Sequence, residues 1–129
     1  MTDISPRSLA VPMNDDPSWL YTAHGVDTNL TGTLDISAFT EITHFPNGFI
    51  PSGTPLGKIT ATGLYGPYDA AVLDGTEDIV GFLYGPLSVS AATGNVSGAI
   101  YVHGTVVEDR LPIAVDAAGK AALTHINFI

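Results

Sequence analysis

From Phe45 onward the chain cannot run far without turning. The stretches FPNG (45–48), PSGTP (51–55), TGLYGPYD (62–69), LDGTED (73–78), ATGNVSG (92–98) and EDRLP (108–112) each set Gly or Pro beside other turn-forming residues. Gly supplies backbone angles that other residues avoid, Pro fixes one angle and removes a donor, and Asn, Asp and Ser bond back to their own main chain. Only short segments fit between turns so closely spaced, so the pattern predicts a β-rich domain. The clearest predicted strands are GAIYVHGTVV (98–107), with Ile100, Val102 and Val106 on one face and Tyr101, His103 and Thr105 on the other, and DIVGFLYG (78–85).

One tetrapeptide, LYGP, occurs at 64–67 and again at 83–86. The flanks KITATG and EDIVGF do not align and no third copy follows, which argues against a structural repeat. Each copy reads instead as punctuation at a strand end, where a Gly-Pro step withholds a backbone donor.

Before Phe45 the pattern changes. Residues 1 to about 30 carry Pro6, Pro12, Pro17 and Asn14-Asp15-Asp16 with no sustained period, and predict an extended arm. Trp19, Leu20 and Tyr21 are costly to leave in water, so they either tuck onto the body or meet a partner. TGTLDISAFTEITHF (31–45) alternates loosely and predicts one or two strands broken near Ala38. At the other end, Asp116 caps a predicted short helix through Ala122, and THINFI (124–129) reads as a final strand.

The 129 residues suit one core of ordinary size. Without cysteine there is no disulfide, thiolate ligand or thiol nucleophile. A formal charge of −9 repels phosphate backbones and anionic bilayers, so neither nucleic acid nor membrane is an expected partner. No cationic start leads into a long apolar run, and no signal peptide or membrane span is read. Only 13% of residues are charged while 45% are hydrophobic, and neutral surface of this kind suits assembly.

Catalytic motifs are wanting. SGTPLGKIT (52–60) lacks both the glycine spacing and the hydroxyl after Lys58 that a phosphate loop needs. No serine sits in a nucleophile elbow. His24, His44, His103 and His125 are far apart and at no metal-binding spacing, and DGTED (74–78) lacks the ligand ladder of a calcium loop, so a solvated turn at Asp74-Gly75 is expected. No cofactor and no metal are predicted. An enzyme would need His44 or His103 beside a carboxylate in a cleft. A β-sandwich module binding carbohydrate or peptide would need Trp19, Tyr65, Tyr68, Tyr84 or Tyr101 as an exposed platform.

The segments 52–60, 70–89 (AAVLDGTEDIVGFLYGPLSV), 98–112 (GAIYVHGTVVEDRLP) and 117–129 (AAGKAALTHINFI) together resemble, in order, the head decoration or cement proteins of tailed bacteriophages, the lambda group. The resemblance runs over roughly residues 47 to 129. It implies a non-enzymatic β-clip or tulip-like domain at 46–129 behind an arm at 1–45. It further implies homotrimers on the threefold and quasi-threefold axes of an expanded icosahedral shell, assembled in the host cytoplasm and held on the outer face of the virion. Its partners would be the major capsid protein and other copies of itself. Leu34, Ile36, Phe39 and Ile42 are the candidate capsid-binding side chains of that arm by strand addition, with an ordinary core strand as the alternative. Trp19, Tyr65, Tyr68 and Tyr84 are candidate trimer or capsid contacts.

Overall fold

The structure, a computed structural model, describes residues 17–21, 29–90 and 94–129. Most of the predicted arm, residues 1–16 and 22–28, lies outside these. The described residues form a β-rich fold of nine strands and two short α-helices.

Five strands close into a barrel in the order β1 (Leu30–Leu34), β4 (Tyr65–Pro67), β3 (Pro55–Lys58), β5 (Ile79–Leu83) and β7 (Val96–Tyr101). β1 shuts it, running antiparallel to β7 over five residue pairs from Leu30↔Ile100 to Leu34↔Val96 and meeting β4 in parallel at Leu34↔Tyr65. Closure leaves these strands no open edge to template aggregation. β2 (Phe49–Ile50) and β6 (Leu87–Ser88) pair as a small ribbon. β8 (Gly104–Val106) lies parallel to the terminal β9 (Ile126–Phe128).

Successive strand residues point to opposite faces, and here both faces are covered. Leu34, Leu56, Leu83 and Ile100 belong to one core cluster, which Ile36, Phe39, Phe45, Ile50 and Val89 complete. Their sequence neighbours Phe82 and Tyr101 belong to a second cluster under Trp19, Val106, Val115, Leu123 and Ile126. Burial on both sides explains why VGFL and AIYV read as nearly continuous apolar runs.

Several expectations change. β1, which lies within the stretch 1–45 expected as an arm, is a wall of the barrel. TGTLDISAFTEITHF is a strand only as far as Leu34. The Asp35 carboxylate then accepts from the Ser37 N–H at 3.1 Å and from its hydroxyl at 2.6 Å, which favours a 3-10 turn over Ile36–Ala38. A second helix that was not predicted, α1 (Glu41–His44), follows at once. GAIYVHGTVV is two strands, because the chain leaves the barrel at Val102–His103 to pair with β9. Of the two LYGP copies, the second ends β5 as expected, but Tyr65-Gly66-Pro67 of the first is itself β4.

Other expectations hold. α2 (Ala117–Ala122) begins where predicted, with the Asp116 carboxylate accepting from the Gly119 N–H at 2.8 Å, and β9 follows it. Trp19 and Leu20 tuck onto the body. Leu20 bridges Val106 across the free side of β8, and the Val107 N–H donates to the Trp19 carbonyl at 2.7 Å.

Candidate functional site

The four proposed docking side chains divide sharply. Leu34, Ile36 and Phe39 are buried in the chain's own barrel core, at 0%, 2% and 6% exposure, so they cannot fill pockets on a partner without opening the barrel. That burial matches the alternative of an ordinary core strand that the sequence left open for them. Only Ile42, on the outer side of α1, is presented to solvent, at 84% exposure.

The aromatic candidates do not form an open platform either. Trp19 and Tyr101 are fully buried and pack edge to face, with ring centroids 5.3 Å apart. Tyr65 packs against the barrel cluster with the Lys58 ammonium 5.9 Å from its ring centre. Tyr84 is partly buried, and its carbonyl accepts from the Ser52 hydroxyl at 2.7 Å. The clustered exposed rings that a carbohydrate-binding module requires are therefore missing from this set.

Tyr68 has a defined task. Its phenol donates to the Asp116 carboxylate at 2.7 Å, tying the N-terminus of α2 to the end of β4. That bond is the main cause of a Tyr68 pKa pushed up from 10.0 to about 12. The same bond, followed by the Gly119 N–H, holds Asp116 below its usual carboxylate value. A raised folded pKa gives stability that is complete below the unfolded value and lost as pH climbs through the folded one, here between 10 and about 12. A depressed carboxylate works in the opposite sense: its contribution is present above about pH 4 and is lost as pH falls through the lowered value. Tyr68→Phe is therefore expected to lower the melting temperature near neutrality and to make both the alkaline and the acid decline shallower. Melts followed by circular dichroism across the pH range check this, and superimposable profiles for the two proteins would disprove the bond.

His44 sits in a cleft of about 250 Å³ with Thr40, Asp69, Val72 and Asp74. Burial pushes its pKa below the usual histidine value. Its Nδ1 accepts from the Thr40 N–H at 2.8 Å and its ring packs edge-on against Phe39, so it closes the first turn of α1. Asp74 is engaged by the Thr76 N–H at 3.0 Å and hydroxyl at 2.5 Å, which hold its pKa down. His44 and these carboxylates thus stabilise two adjacent loops. Among the described residues, no group of three or more His, Asp or Glu could hold a metal ion, and no helix is long and apolar enough to cross a membrane.

Beside its exposed carboxylates the surface also offers apolar residues. α1, with Ile42, and the loop carrying Val72 and Leu73, the latter 89% exposed, flank the His44 cleft. A second apolar groove, of about 520 Å³, is lined by Leu30, Ile79, Val80, Val102 and Leu123. The sequence reading missed Leu73, because an apolar residue next to an Asp-Gly turn looks like the end of a strand.

The structure is thus a small barrel whose rings are largely used in packing, with a few large apolar residues, Ile42 and Leu73 among them, left exposed. The family model described as Bacteriophage lambda head decoration protein D matches residues 37–125, more than half of the chain. The chain belongs to this family of phage head decoration proteins, structural components of the viral capsid. No curated protein matches the chain significantly. The matched region starts inside the turn after β1, so the strand that closes this barrel and the Trp19 segment both lie outside it.

Proposed function

We propose that the protein binds the outer face of an expanded icosahedral head as homotrimers at the threefold and quasi-threefold axes, and stabilises the shell against the pressure of packaged DNA. The family match over residues 37–125 carries this reading. The physical chemistry agrees with it. A formal charge of −9 keeps the protein from competing for DNA, and exposed Ile42 and Leu73 supply apolar surface for subunit contacts. The partners are the major capsid protein and two further copies of the chain. A trimer that bridges neighbouring capsid subunits gains from multivalency, because the second and third contacts search only a small volume once the first has formed. No turnover is required; binding energy is the function.

In this reading Leu34, Ile36 and Phe39 hold the barrel and Ile42 remains as a contact. Tyr65, Tyr68 and Tyr84 stay as candidate neighbours of an interface, and the docking arm is confined to residues ahead of Pro17. The test is co-sedimentation with DNA-free expanded heads from the same phage, using the full chain, a chain lacking residues 2–16, and Ile42→Asp. The full chain is expected to saturate at three copies per threefold position. Truncation and Ile42→Asp are each expected to weaken binding about ten-fold or more, as burying an unpaired carboxylate or losing an anchor does. Failure of the full chain to bind would overturn the reading, and full-strength binding by the truncated chain would remove the arm from it.

A further inference from the structure

α1 has little of its own to hold it: four residues, none buried, and an N-cap Thr40 whose side chain makes no capping bond. Helices this short are marginal without outside support. Support comes from the ring of His44, whose Nδ1 accepts from the Thr40 N–H at 2.8 Å. An N–H aimed at Nδ1 needs the lone pair there, so the neutral ring carries its hydrogen on Nε2. The cleft in which the ring stands also brings it two carboxylates of the loop 69–78, Asp69 and Asp74. Glu41 opens α1 itself, and no Lys or Arg is among the described residues that line the cleft.

We infer that His44 is a proton-operated latch: the neutral ring closes α1 through Thr40, and the protonated ring releases Thr40 and pairs with the carboxylates of Asp69 and Asp74. A proton on Nδ1 turns that nitrogen from acceptor into donor, which leaves two N–H groups facing each other where one bond had been. The charged ring is then drawn to the two carboxylates. Burial acts against the charge and sets His44 below the ordinary histidine value of 6.5, while Asp69 already attracts the proton. Asp74 stays ionised as the ring titrates, because the Thr76 hydroxyl and N–H hold its pKa down. A depressed folded value gives stability that is complete above the unfolded value and lost as pH falls through the folded one, so the latch is shut near neutrality and opens on acidification below pH 6.5. What opens is the segment that carries Ile42 outward, at 84% exposure. A proton thereby decides whether that apolar side chain is presented on an ordered turn. The latch goes beyond the capsid reading and holds or fails without it.

The isolated full chain serves for the test, without heads. Histidine ring nitrogens are followed by NMR from about pH 8 to about pH 4.5, across the range in which histidine changes charge. Hydrogen exchange of the Thr40 amide is measured alongside and corrected for the intrinsic rate at each pH. His44 is expected to show an unprotonated Nδ1 at the alkaline end and a midpoint below 6.5. Thr40 protection is expected to fall about ten-fold across that midpoint, as the loss of one ordinary hydrogen bond does. The Tyr84 N–H, which donates to the Ala99 carbonyl at 2.8 Å at the barrel wall, is the internal control and should keep its protection. His44→Ala should show the low Thr40 protection at every pH. Asp69→Asn keeps an acceptor for the Ala71 N–H but loses the charge, so it should leave Thr40 protected at the alkaline end and move the midpoint lower still. The latch is overturned if His44 titrates at or above 6.5, if Thr40 protection is the same on both sides of the midpoint or falls together with that of Tyr84, if His44→Ala protects Thr40 as the unaltered chain does, or if Asp69→Asn leaves the midpoint where it was.

Discussion

Trp19→Ala is expected to cost about 3–5 kcal/mol of folding stability, the range for removing a large ring from a core. Trp19 is 0% exposed although it belongs to no strand or helix, and its ring lies 5.8 Å from that of Phe82 and 5.3 Å from that of Tyr101. The fit is tight on the remaining side too. Gly53, at φ 91°, passes so close that a Cβ there would stand 2.8 Å from the indole. The indole N–H donates to the Ser52 hydroxyl at 2.8 Å, and that hydroxyl donates onward to the Tyr84 carbonyl at 2.7 Å. Removing the ring opens a cavity and also loosens the main-chain bonds that hold Leu20 and Tyr21 against β8. Trp19→Phe keeps much of the packing, loses one hydrogen bond and should cost about 1–2 kcal/mol. Urea unfolding followed by circular dichroism measures both, because the chain has only one tryptophan and its fluorescence vanishes in the variants. An unchanged midpoint for Trp19→Ala would mean that the ring is not part of the core in solution.

The indole also shows what local patterns could and could not convey. β5, the Asp116 cap of α2 and the terminal strand were legible because each rests on neighbours in sequence: a bounded apolar run, or an acceptor three residues ahead of an N–H. The Leu34–Phe45 segment misled because the Asp35–Ser37 bonds outweigh a loose two-residue alternation. β8 was read as a continuation of β7 because its true partner, β9, lies at the far end of the chain, and periodicity carries no information about which strand a segment will join. The same limit applies to the candidate site. Leu34 and Ile36 have the alternation of residues that fill pockets, with Phe39 out of step, but alternation does not say whose pockets, and in this structure all three are buried in the chain's own core. Family membership was legible from the order of four modest segments, none of which is diagnostic singly. Of the exposed apolar residues, Ile42 was named from the sequence and Leu73 was not, since Leu73 differs from a core leucine only in how the loop around it is held.

That loop supplies the second large expected effect. Gly75→Ala should destabilise the fold by about 2–5 kcal/mol, combining about 1–2 for a side chain at positive φ with about 1–3 for overpacking. Gly75 has φ 111°, and a Cβ there would overlap the Lys58 carbonyl and the Thr60 hydroxyl and come within 2.8 Å of the Thr60 nitrogen. None of these can retreat cheaply. Lys58 is paired with Tyr65 in the barrel, and the Thr60 N–H donates to the Asp74 carbonyl at 2.9 Å. The Gly75 N–H donates to the Glu77 carboxylate at 2.7 Å, and neighbouring Thr76 is buried against the sheet. Relief therefore requires the whole 69–78 loop to lift, taking Val72 and Leu73 with it. The substitution should consequently weaken head binding even though Gly75 need touch no partner, whereas Leu73→Asp should weaken binding with little change in stability. Gly85→Ala is the control, since a Cβ there meets nothing within 4 Å and the change should stay within about 0.5 kcal/mol. Thermal melts and co-sedimentation run side by side on the three variants separate the roles. If Gly75→Ala melts like Gly85→Ala, the loop is not clamped to β3; if Leu73→Asp binds heads at full strength, this end of the barrel faces away from both the capsid and the neighbouring copies.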